Sequence, residues 1–432
     1  MEKILSIASK LADSAEVFQV HSSRTPVQFE ANRLKQIQTK ESTVTALRIV
    51  KNGRVGFAQA SGNIEAGDLV KMALDTSQFG YQVNFKFPSS QTYGSVEIYD
   101  KDVEKITIDS MVSLGETVIK AVCDNTPEVI CEGSVSHGTA TFSIANTSGA
   151  SASYKRTNSS ISIDGMLVRN GDILYVGDIQ SSCHPVTEPS LLIHEITRQL
   201  DLARNAATIR SGTFPVIFTP YGVSGALIAP LISALNGKMV LDGASPLKDK
   251  KGVSMLDKKF SLSDDPTVPF QPGSTPFDDE GIAAQKNILI DHGTVNQFYY
   301  DLHTATLAGT ASTGNGERGG GMPSPAPHAL VIDGGDTALQ DMIKGIKEGL
   351  IIEQLMGAEQ GNILNGDFSG NVLLGYKIEN GEITGRVKDT MVYGNVYQLL
   401  KEITALGNDS RWLGGYVNTP SICCPAISVS SK

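Results

Sequence analysis

The most apolar run of the chain, Val223–Leu235, reads VSGALIAPLISAL and constrains the fold more than any other segment. Its composition predicts a helix, and a helix without a charged face has to be buried, either in its own domain or against a partner. It is shorter than the ~18 residues that a membrane-spanning helix needs. Pro230 removes a backbone hydrogen bond and predicts a kink. We therefore expect a kinked core helix and no membrane segment.

Alternating segments with Asn-Gly turns predict antiparallel strands on both sides of this helix. Residues 43–60 are a predicted hairpin around Asn52-Gly53, and residues 372–387 a second hairpin around Asn380-Gly381. Both positions of an Asn-Gly pair adopt positive φ at little cost, as a type I′ turn requires. Five further short strands are predicted within residues 128–180. Helices are predicted at residues 3–13, 65–77, 103–122, 188–210, 337–346 and 395–405.

These elements predict an α+β fold with two domains. Residues 1–205 would form an N-terminal domain of helices with an antiparallel sheet. Residues 206–432 would form a C-terminal, mainly antiparallel β domain. The long helix that Gly212 is expected to stop lies at the boundary.

Charge and cysteine content narrow the class of protein. The 36 basic and 46 acidic residues leave a net charge of −10, so nonspecific binding of nucleic acid is not expected. Charged residues near the start of the chain interrupt any signal-peptide apolar region, which indicates a cytoplasmic protein. The five cysteines are an odd, sparse set without zinc-ribbon or disulfide spacing: Cys123, Cys131, Cys183, Cys423 and Cys424.

An acidic run at Asp278, Asp279 and Glu280 is one candidate for chemistry. Three neighbouring carboxylates can bind a metal ion or act in acid–base catalysis. The alternative is that they are solvated or cap a helix, since Pro276 and following acids suit a helix N-terminus. His292 and His303 follow without ligand spacing, and each is expected to be exposed or hydrogen-bonded.

The Gly-rich segment that contains Gly314, Asn315, Gly316 and Arg318 matches the spacing G-x-G-x-x-G. The dinucleotide fingerprint needs a helix after the last glycine, and the prolines that follow here forbid one. We therefore expect no nucleotide site. Residues 310–326 are instead predicted to be a mobile loop that lines a binding cleft.

Two further pairs resemble metal ligands without completing a site. His194-Glu195 begins the zinc motif H-E-x-x-H, but Arg198 and Gln199 follow where a second histidine would stand. Cys423 and Cys424 are adjacent in a predicted strand, where successive side chains point to opposite faces. From the residues alone, no catalytic constellation is complete.

Five segments in order resemble the TldD/PmbA family, also called the modulator of DNA gyrase family, of zinc metallopeptidases. They are TALRIVKNGRVGFAQAS, FPVIFTPYGVSGAL, STPFDDEGIAAQKNILIDHGTVNQFYYDLHTATLAG, ASTGNGERGGGMPSPAPHALVIDGGDT and NGDFSGNVLLGYKIENGEITGRVKDTMVYGN. The resemblance covers nearly the whole chain. It implies a role in proteolysis or peptide processing.

The resemblance also implies a subunit type. D-type subunits of the family carry H-E-x-x-x-H on the helix after FPVIFTP, plus a cysteine near the C-terminus, to hold zinc. In this chain the helix at 221–236 has no His, Glu or Cys. The chain therefore resembles the E-type (PmbA or TldE) subunit, with no metal or catalytic residue of its own. E-type subunits pair with D-type subunits, which hold the zinc, and the pair processes peptides and degrades unfolded small proteins inside a closed chamber.

Three functions follow from this reading. The first is a non-catalytic partner of a TldD-like metallopeptidase that binds a peptide or unfolded protein. The second is a peptidase or hydrolase with a non-standard site, and the third is a homodimeric peptide-binding protein. We expect a dimer rather than a monomer: a heterodimer with a TldD-like subunit, or a homodimer where no such subunit is present. The residues expected to line the substrate site are Gly314, Asn315, Gly316, Arg318, Asp278, Asp279, Glu280 and His303.

Overall fold

A computed structural model describes residues 1–169 and 171–431 of the chain. The first half forms one long sheet with four helices. Its strands are β1 Ser14–Glu30, β2 Arg33–Ile37, β3 Lys40–Lys51, β4 Arg54–Ser61, β5 Ile130–Asn146, β6 Ser151–Arg169 and β7 Asp172–Ser182. Its helices are α1 Glu2–Ala8, α2 Ala66–Ser77, α3 Ile108–Asn125 and α4 Ser190–Leu202, with a 3-10 turn at Val103–Lys105.

This N-terminal sheet is antiparallel throughout, with the order β4-β3-β1-β5-β6-β7 and β2 paired to β1. Strand β1 lies in the middle although it contains Pro26, which cannot donate a backbone hydrogen bond. Pro26 falls between the stretch that pairs with β3, which ends at Arg24, and the stretch that pairs with β2, which begins at Val27. The proline therefore occupies the one gap in the ladder along that side of the strand.

The two sides of the sheet carry different partners, as alternation along a strand requires. On one side, Ala15 and Val17 pack with α1 and α2, and farther along β1 Val27 packs with α3. On the other side, Phe18 and its neighbour Ile144 contact Phe277 of the second half. We call the latter side of the sheet the inner face, because it points toward the C-terminal half.

The second half contains shorter strands and six helices. The strands are β8 Ala206–Ala207, β9 Gly212–Phe218, β10 Leu262–Asp264, β11 Asn287–Asp291, β12 Thr294–Val295, β13 Gly316–Glu317, β14 Ser324–Pro325, β15 Leu330–Ile332, β16 Glu348–Met356, β17 Asp367–Glu379, β18 Glu382–Val387, β19 Thr390–Asn395, β20 Ala405–Leu406, β21 Arg411–Leu413, β22 Val417–Thr419 and β23 Ile422–Ser431. The helices are α5 Pro220–Ala226, α6 Ile228–Leu235, α7 Gly237–Leu241, α8 Leu302–Ala308, α9 Leu339–Lys344 and α10 Val396–Leu399, with 3-10 turns at Ala358–Gln360 and Ile363–Asn365.

Two sheets organise these strands. The larger has the order β16-β9-β23-β19-β17-β18-β8, and a further β16–β17 pairing closes five of its strands into a ring. The smaller has the order β12-β11-β10-β15-β22-β21. Most neighbours are antiparallel, with parallel pairs at β9–β16, β8–β18 and β15–β22. The α+β fold with a mainly antiparallel C-terminal half is thus confirmed, and the boundary between residues 205 and 206 stays a prediction.

The predicted elements differ from the observed ones mainly in length. Both Asn-Gly hairpins are confirmed, with φ of 51° at Asn52 and 72° at Gly53. The five short strands predicted within residues 128–180 are three long strands, and β1 was not predicted at all. The helix predicted at 188–210 ends at Leu202, because Ala206 and Ala207 pair with β18 instead.

The uncharged segment Val223–Leu235 is buried within its own half. It forms α5 and α6, which meet at Leu227, and Pro230 accounts for the break because it cannot donate to the carbonyl of Ala226. Its apolar side chains belong to the main C-terminal core, with Leu227, Leu231 and Leu235 inaccessible to solvent. Burial of this helix therefore does not require a second subunit, and dimer formation stays a prediction.

No helix among the described residues has the length and apolar character needed to cross a membrane.

The contact between α2 and β4 gives a test of the fold. A methyl group at Gly56 would lie 2.1 Å from the carbonyl oxygen of Ala73 on α2, whereas one at Gly67, on the exposed side of α2, meets nothing within 4 Å. We expect Gly56→Ala to lower the free energy of unfolding by about 1–3 kcal/mol in urea titrations, because the helix has to move. The matched Gly67→Ala should leave it unchanged or raise it by up to about 1 kcal/mol. Equal effects of the two substitutions would contradict this packing.

Candidate functional site

A polar cleft runs between the inner face of the N-terminal sheet and loops of the C-terminal half. Its larger cavity, of 460 Å³, is lined on the sheet side by hydroxyl-bearing residues of β1, β5, β6 and β7: Ser22, Ser23, Thr139, Thr157, Ser160 and Ser181. A cavity of 210 Å³ adjoins it, and Arg156 and Tyr416 line both. The cleft therefore offers many hydrogen-bonding groups in a space that an extended chain can enter.

A buried network of ion pairs joins the two halves at one end of this cleft. The guanidinium of Arg48 on β3 lies 2.6 Å from a carboxylate oxygen of Glu280 and 3.0 Å from one of Glu16. Glu16 also pairs with Arg318. All four side chains are buried. Two carboxylates and two guanidiniums cancel in charge, so the network is neutral where water is excluded.

Aromatic rings enclose the two guanidiniums of this network. Arg48 lies over Phe85 and Phe87 at 4.9 and 5.0 Å from the ring centroids, and Arg318 lies 5.3 Å from the centroid of Phe18. Burial raises the pKa of Glu16, although both guanidiniums oppose that shift. The rings exclude water from the charges, which strengthens each pair and also makes an unpaired charge more destabilising.

The carboxylates of Asp278 and Glu280 in the acidic run make structural hydrogen bonds. The Asp278 carboxylate accepts backbone hydrogen bonds from Glu280, Ile282 and Gly316, and the second oxygen of Glu280 accepts one from Leu302. Burial, together with the nearby charge of Glu280, holds the pKa of Asp278 well above its usual range. The oxygens of these two side chains are therefore committed to the backbone and to Arg48.

The Gly-rich segment is partly a packed element rather than a free loop. Asn315 is inaccessible to solvent and donates to the Asp264 carboxylate at 2.6 Å and to the carbonyl of Ala326. The segment then forms the hairpin β13–β14. Gly316 faces Glu280 so closely that a methyl group there would lie 2.3 Å from its carboxylate. Residues 314–316 make core contacts, contrary to the prediction of a mobile loop over residues 310–326. Mobility at these positions therefore gives no reason to assign them a role in admitting substrate.

The predicted lining residues fall into two places. Gly314, Asn315, Gly316, Arg318, Asp278, Asp279 and Glu280 come together at the junction of the two halves. Of these, Asp279 alone lines the 210 Å³ cavity. His303 lies apart on α8, where its ring is 4.7 Å from that of Tyr81. His292 is exposed beside Asp291.

His328, a buried histidine that no sequence motif marks, also belongs to the site. His328 lies 3.8 Å from the Asp264 carboxylate on one side and 3.5 Å from Glu317 on the other. Burial alone would lower the pKa of His328, but these two carboxylates raise it to about 9. Burial likewise acts to raise the pKa of Asp264, and its contact with His328 holds that pKa below the usual value. His328 therefore carries a proton at neutral pH.

The zinc site of D-type subunits has no counterpart in the donor groups found here. Helices α5 and α6 present apolar or small side chains where that motif would lie. Cys423 and Cys424 are buried on adjacent positions of β23, and Cys424 donates to the carbonyl of Leu399. Within residues 1–169 and 171–431, no group of three or more His, Cys, Asp or Glu side chains is placed to hold a metal ion. The residues present do not fit zinc.

The fold as a whole is shared with a solved structure. TldE from Thermococcus kodakarensis superposes with a TM-score of 0.91 over 100% of both chains at 22% identity. At the sequence level, residues 211–431 match the family described as PmbA/TldA metallopeptidase C-terminal domain, and residues 15–77 match PmbA/TldA metallopeptidase domain 1. The chain belongs to the PmbA/TldD family.

Two further proteins are similar in sequence to this chain. An uncharacterised protein of Methanocaldococcus jannaschii is 27% identical over 98% of each chain. The metalloprotease PmbA of Escherichia coli O157:H7 is 26% identical over 66% of this chain and 62% of the relative. The family resemblance drawn from the five segments is therefore confirmed.

The ion-pair network predicts a large effect of one substitution. Arg48→Met should lower the free energy of unfolding by about 3–5 kcal/mol, because the buried Glu280 carboxylate then loses the guanidinium that pairs with it. The double variant Arg48→Met/Glu280→Gln should recover part of that loss, since the amide carries no charge. Chemical denaturation of the three proteins measures both effects. A loss of less than about 1 kcal/mol in the single variant would contradict the network.

The raised pKa of His328 predicts a pH dependence of stability. Its pKa is about 9 in the folded chain, against about 6.5 when unfolded. Its stabilisation is therefore complete below pH ~6.5 and is lost as the pH rises toward 9. Between pH 6.5 and 8.5 the wild type should lose about 2 kcal/mol more unfolding free energy than His328→Asn. The exposed His292→Asn is the control and should follow the wild type; parallel curves for all three would refute the assignment.

Proposed function

We propose that this chain is a non-catalytic subunit that pairs with a TldD-like zinc metallopeptidase in proteolysis or peptide maturation. The observation that carries the proposal is the helix pair α5–α6, which has core leucines and isoleucines in place of metal ligands. A chain that keeps the family's fold but has no ligands on that helix is suited to build a chamber and bind substrate. The zinc and the hydrolytic chemistry then belong to the partner.

Two further findings support a subunit role over an independent enzyme. The chain shares its fold with TldE over its full length at 22% identity. The residues that a non-standard hydrolase would need are dispersed or committed: Asp278 and Glu280 bind the backbone and Arg48, whereas His303 packs at a tilt against Tyr81. The proposal places both subunits in the cytoplasm and excludes nucleic acid as a partner.

The cleft gives the proposed subunit a place to bind a peptide. Inner-face hydroxyl groups such as those of Ser22, Ser160 and Ser181 can bond the backbone of an extended segment without regard to its side chains. Backbone recognition of this kind suits a subunit that receives many different unfolded segments. Sequence preference would then come from a small number of charged groups in the cleft.

Metal content and activity test the proposal directly. The purified chain alone should hold no stoichiometric zinc and should not cleave an unfolded substrate such as reduced casein. Mixed with a TldD-like subunit, it should co-elute as a complex with about one zinc, held by the D-type motif. The control is the same complex with both motif histidines of the D-type subunit replaced by alanine, which should assemble and remain inactive.

Three results would decide against it. About one tightly bound zinc per chain together with cleavage by the chain alone would make it an enzyme. A stable homodimer that binds peptide but ignores a TldD-like subunit would make it a binding protein. A monomer in sedimentation at micromolar concentration that also fails to join a D-type subunit would remove the assembly altogether.

A further inference from the structure

Two arginines lie on the inner face of the N-terminal sheet and line the 460 Å³ cavity. Arg24 on β1 pairs with Gly138 on β5, which pairs with Asn158 on β6. Arg156 is two residues before Asn158 on β6, so its side chain points to the same face as Arg24. Strand spacings place the two Cα atoms about 12 Å apart, within the combined reach of the two side chains.

Neither guanidinium forms a salt bridge with a carboxylate of the described residues, although Asp279 and Glu317 line the adjoining 210 Å³ cavity together with Arg156. Arg24 donates to the hydroxyl of Ser136, and Arg156 donates to the carbonyls of Pro272 and Ser274. These are neutral acceptors that leave N–H groups of each fork unused among the hydrogen bonds of the described residues. Lys40, opposite Arg24 on β3, adds a third positive charge to this face.

Buried arginines at the contacts between the two halves differ from this pair. Arg48 and Arg318 each contact a carboxylate, as do Arg198 and Arg411. The whole chain carries a net charge of −10. Two guanidiniums that line one cavity and form no salt bridge among the described residues therefore offer a site for an anion from outside the chain.

The space between the arginines is open. The strand that separates them carries Gly138 and Ala140 at the intervening positions of the inner face, so no large side chain fills the gap. Tyr416 borders the cavity from the C-terminal half and is 54% exposed. Tyr416 follows Gly414 and Gly415, whose φ values of 59° and 80° allow a tight turn of the chain.

We propose that Arg24 and Arg156 form a subsite for a carboxylate of a bound peptide, either its C-terminal carboxylate or an acidic side chain. A guanidinium fork matches a carboxylate with two parallel hydrogen bonds, and the surrounding hydroxyls of Ser22 and Ser160 supply neutral donors beside it. This subsite rests on the proposed function, in which the cleft receives peptide, and it gives that cleft a preference for one end or one residue class of the peptide.

Binding of matched peptides to the full-length chain tests the subsite without the partner. Three fluorescein-labelled hexapeptides of Ser and Ala serve as probes: one with a free C-terminal carboxylate, one amidated, and one amidated with a single internal Glu. Fluorescence anisotropy should show the two carboxylate peptides binding about tenfold or more tightly than the neutral one. The tighter of the two identifies the source of the carboxylate.

Substitutions locate the effect. Arg156→Gln and Arg24→Gln should each remove the advantage of the carboxylate peptides and leave the amidated peptide unchanged, whereas Arg156→Lys should retain part of it as a point charge. Arg33→Gln, on the exposed strand β2, is the matched control and should behave as wild type. Thermal unfolding of each variant verifies that it is folded.

Equal affinity for all three peptides, or no binding of any below about 1 mM, would overturn the subsite. So would a loss of carboxylate preference in Arg33→Gln as large as in Arg156→Gln. Tighter binding of a single-stranded oligonucleotide through the same two arginines would assign the cavity to phosphate instead. None of these results depends on zinc or on complex formation, so failure of the subsite and failure of the subunit proposal are separable.

Discussion

The guanidinium of Arg48 is the group on which the arrangement of the two halves depends. It binds one carboxylate from β1 and one from the turn before β11, and Glu16 in turn binds Arg318 from the Gly-rich segment. Four segments that are far apart in the chain meet there in a volume without water. Since an unpaired charge in such a place is strongly destabilising, each segment fixes the position of the other three.

The sequence allowed a correct account of local structure where local chemistry decides it. Asn52-Gly53 and Asn380-Gly381 mark hairpins because their φ values are intrinsic to those residues, and Pro230 marks a break because its missing N–H acts within one turn. The long strand β1 was not predicted because both of its faces carry buried side chains, so apolar and polar residues do not alternate along it: Val17 and Phe18 are adjacent and both are buried. The buried charge of Glu16 is explained by Arg48 and by Arg318 of the other half of the chain, which no local pattern shows.

The candidate site divides in the same way. The acidic run and the Gly-rich segment were recognised as related to the site, and the structure brings them together. The prediction that these groups face solvent was wrong for Asn315 and Asp278, which are buried. The sequence of a loop does not show whether a polar side chain is hydrogen-bonded to water or to a buried partner. His328, Arg24 and Arg156 carried no motif. Only the register of the sheet and the packing of the halves gives them neighbours, although an arginine on a strand otherwise rich in hydroxyls was a usable signal.

The core role of the α5–α6 helix pair has a consequence for how the family diverges. Leu227, Leu231 and Leu235 now hold the main C-terminal core, and Pro230 has divided the helix into two pieces. Histidines introduced there would have to enter a close-packed apolar interior on a helix that no longer keeps a continuous turn-to-turn register. Under the proposed function, a metal centre on this helix and the present core exclude each other, because each leucine that improves the packing of the core occupies a position that a metal ligand would need.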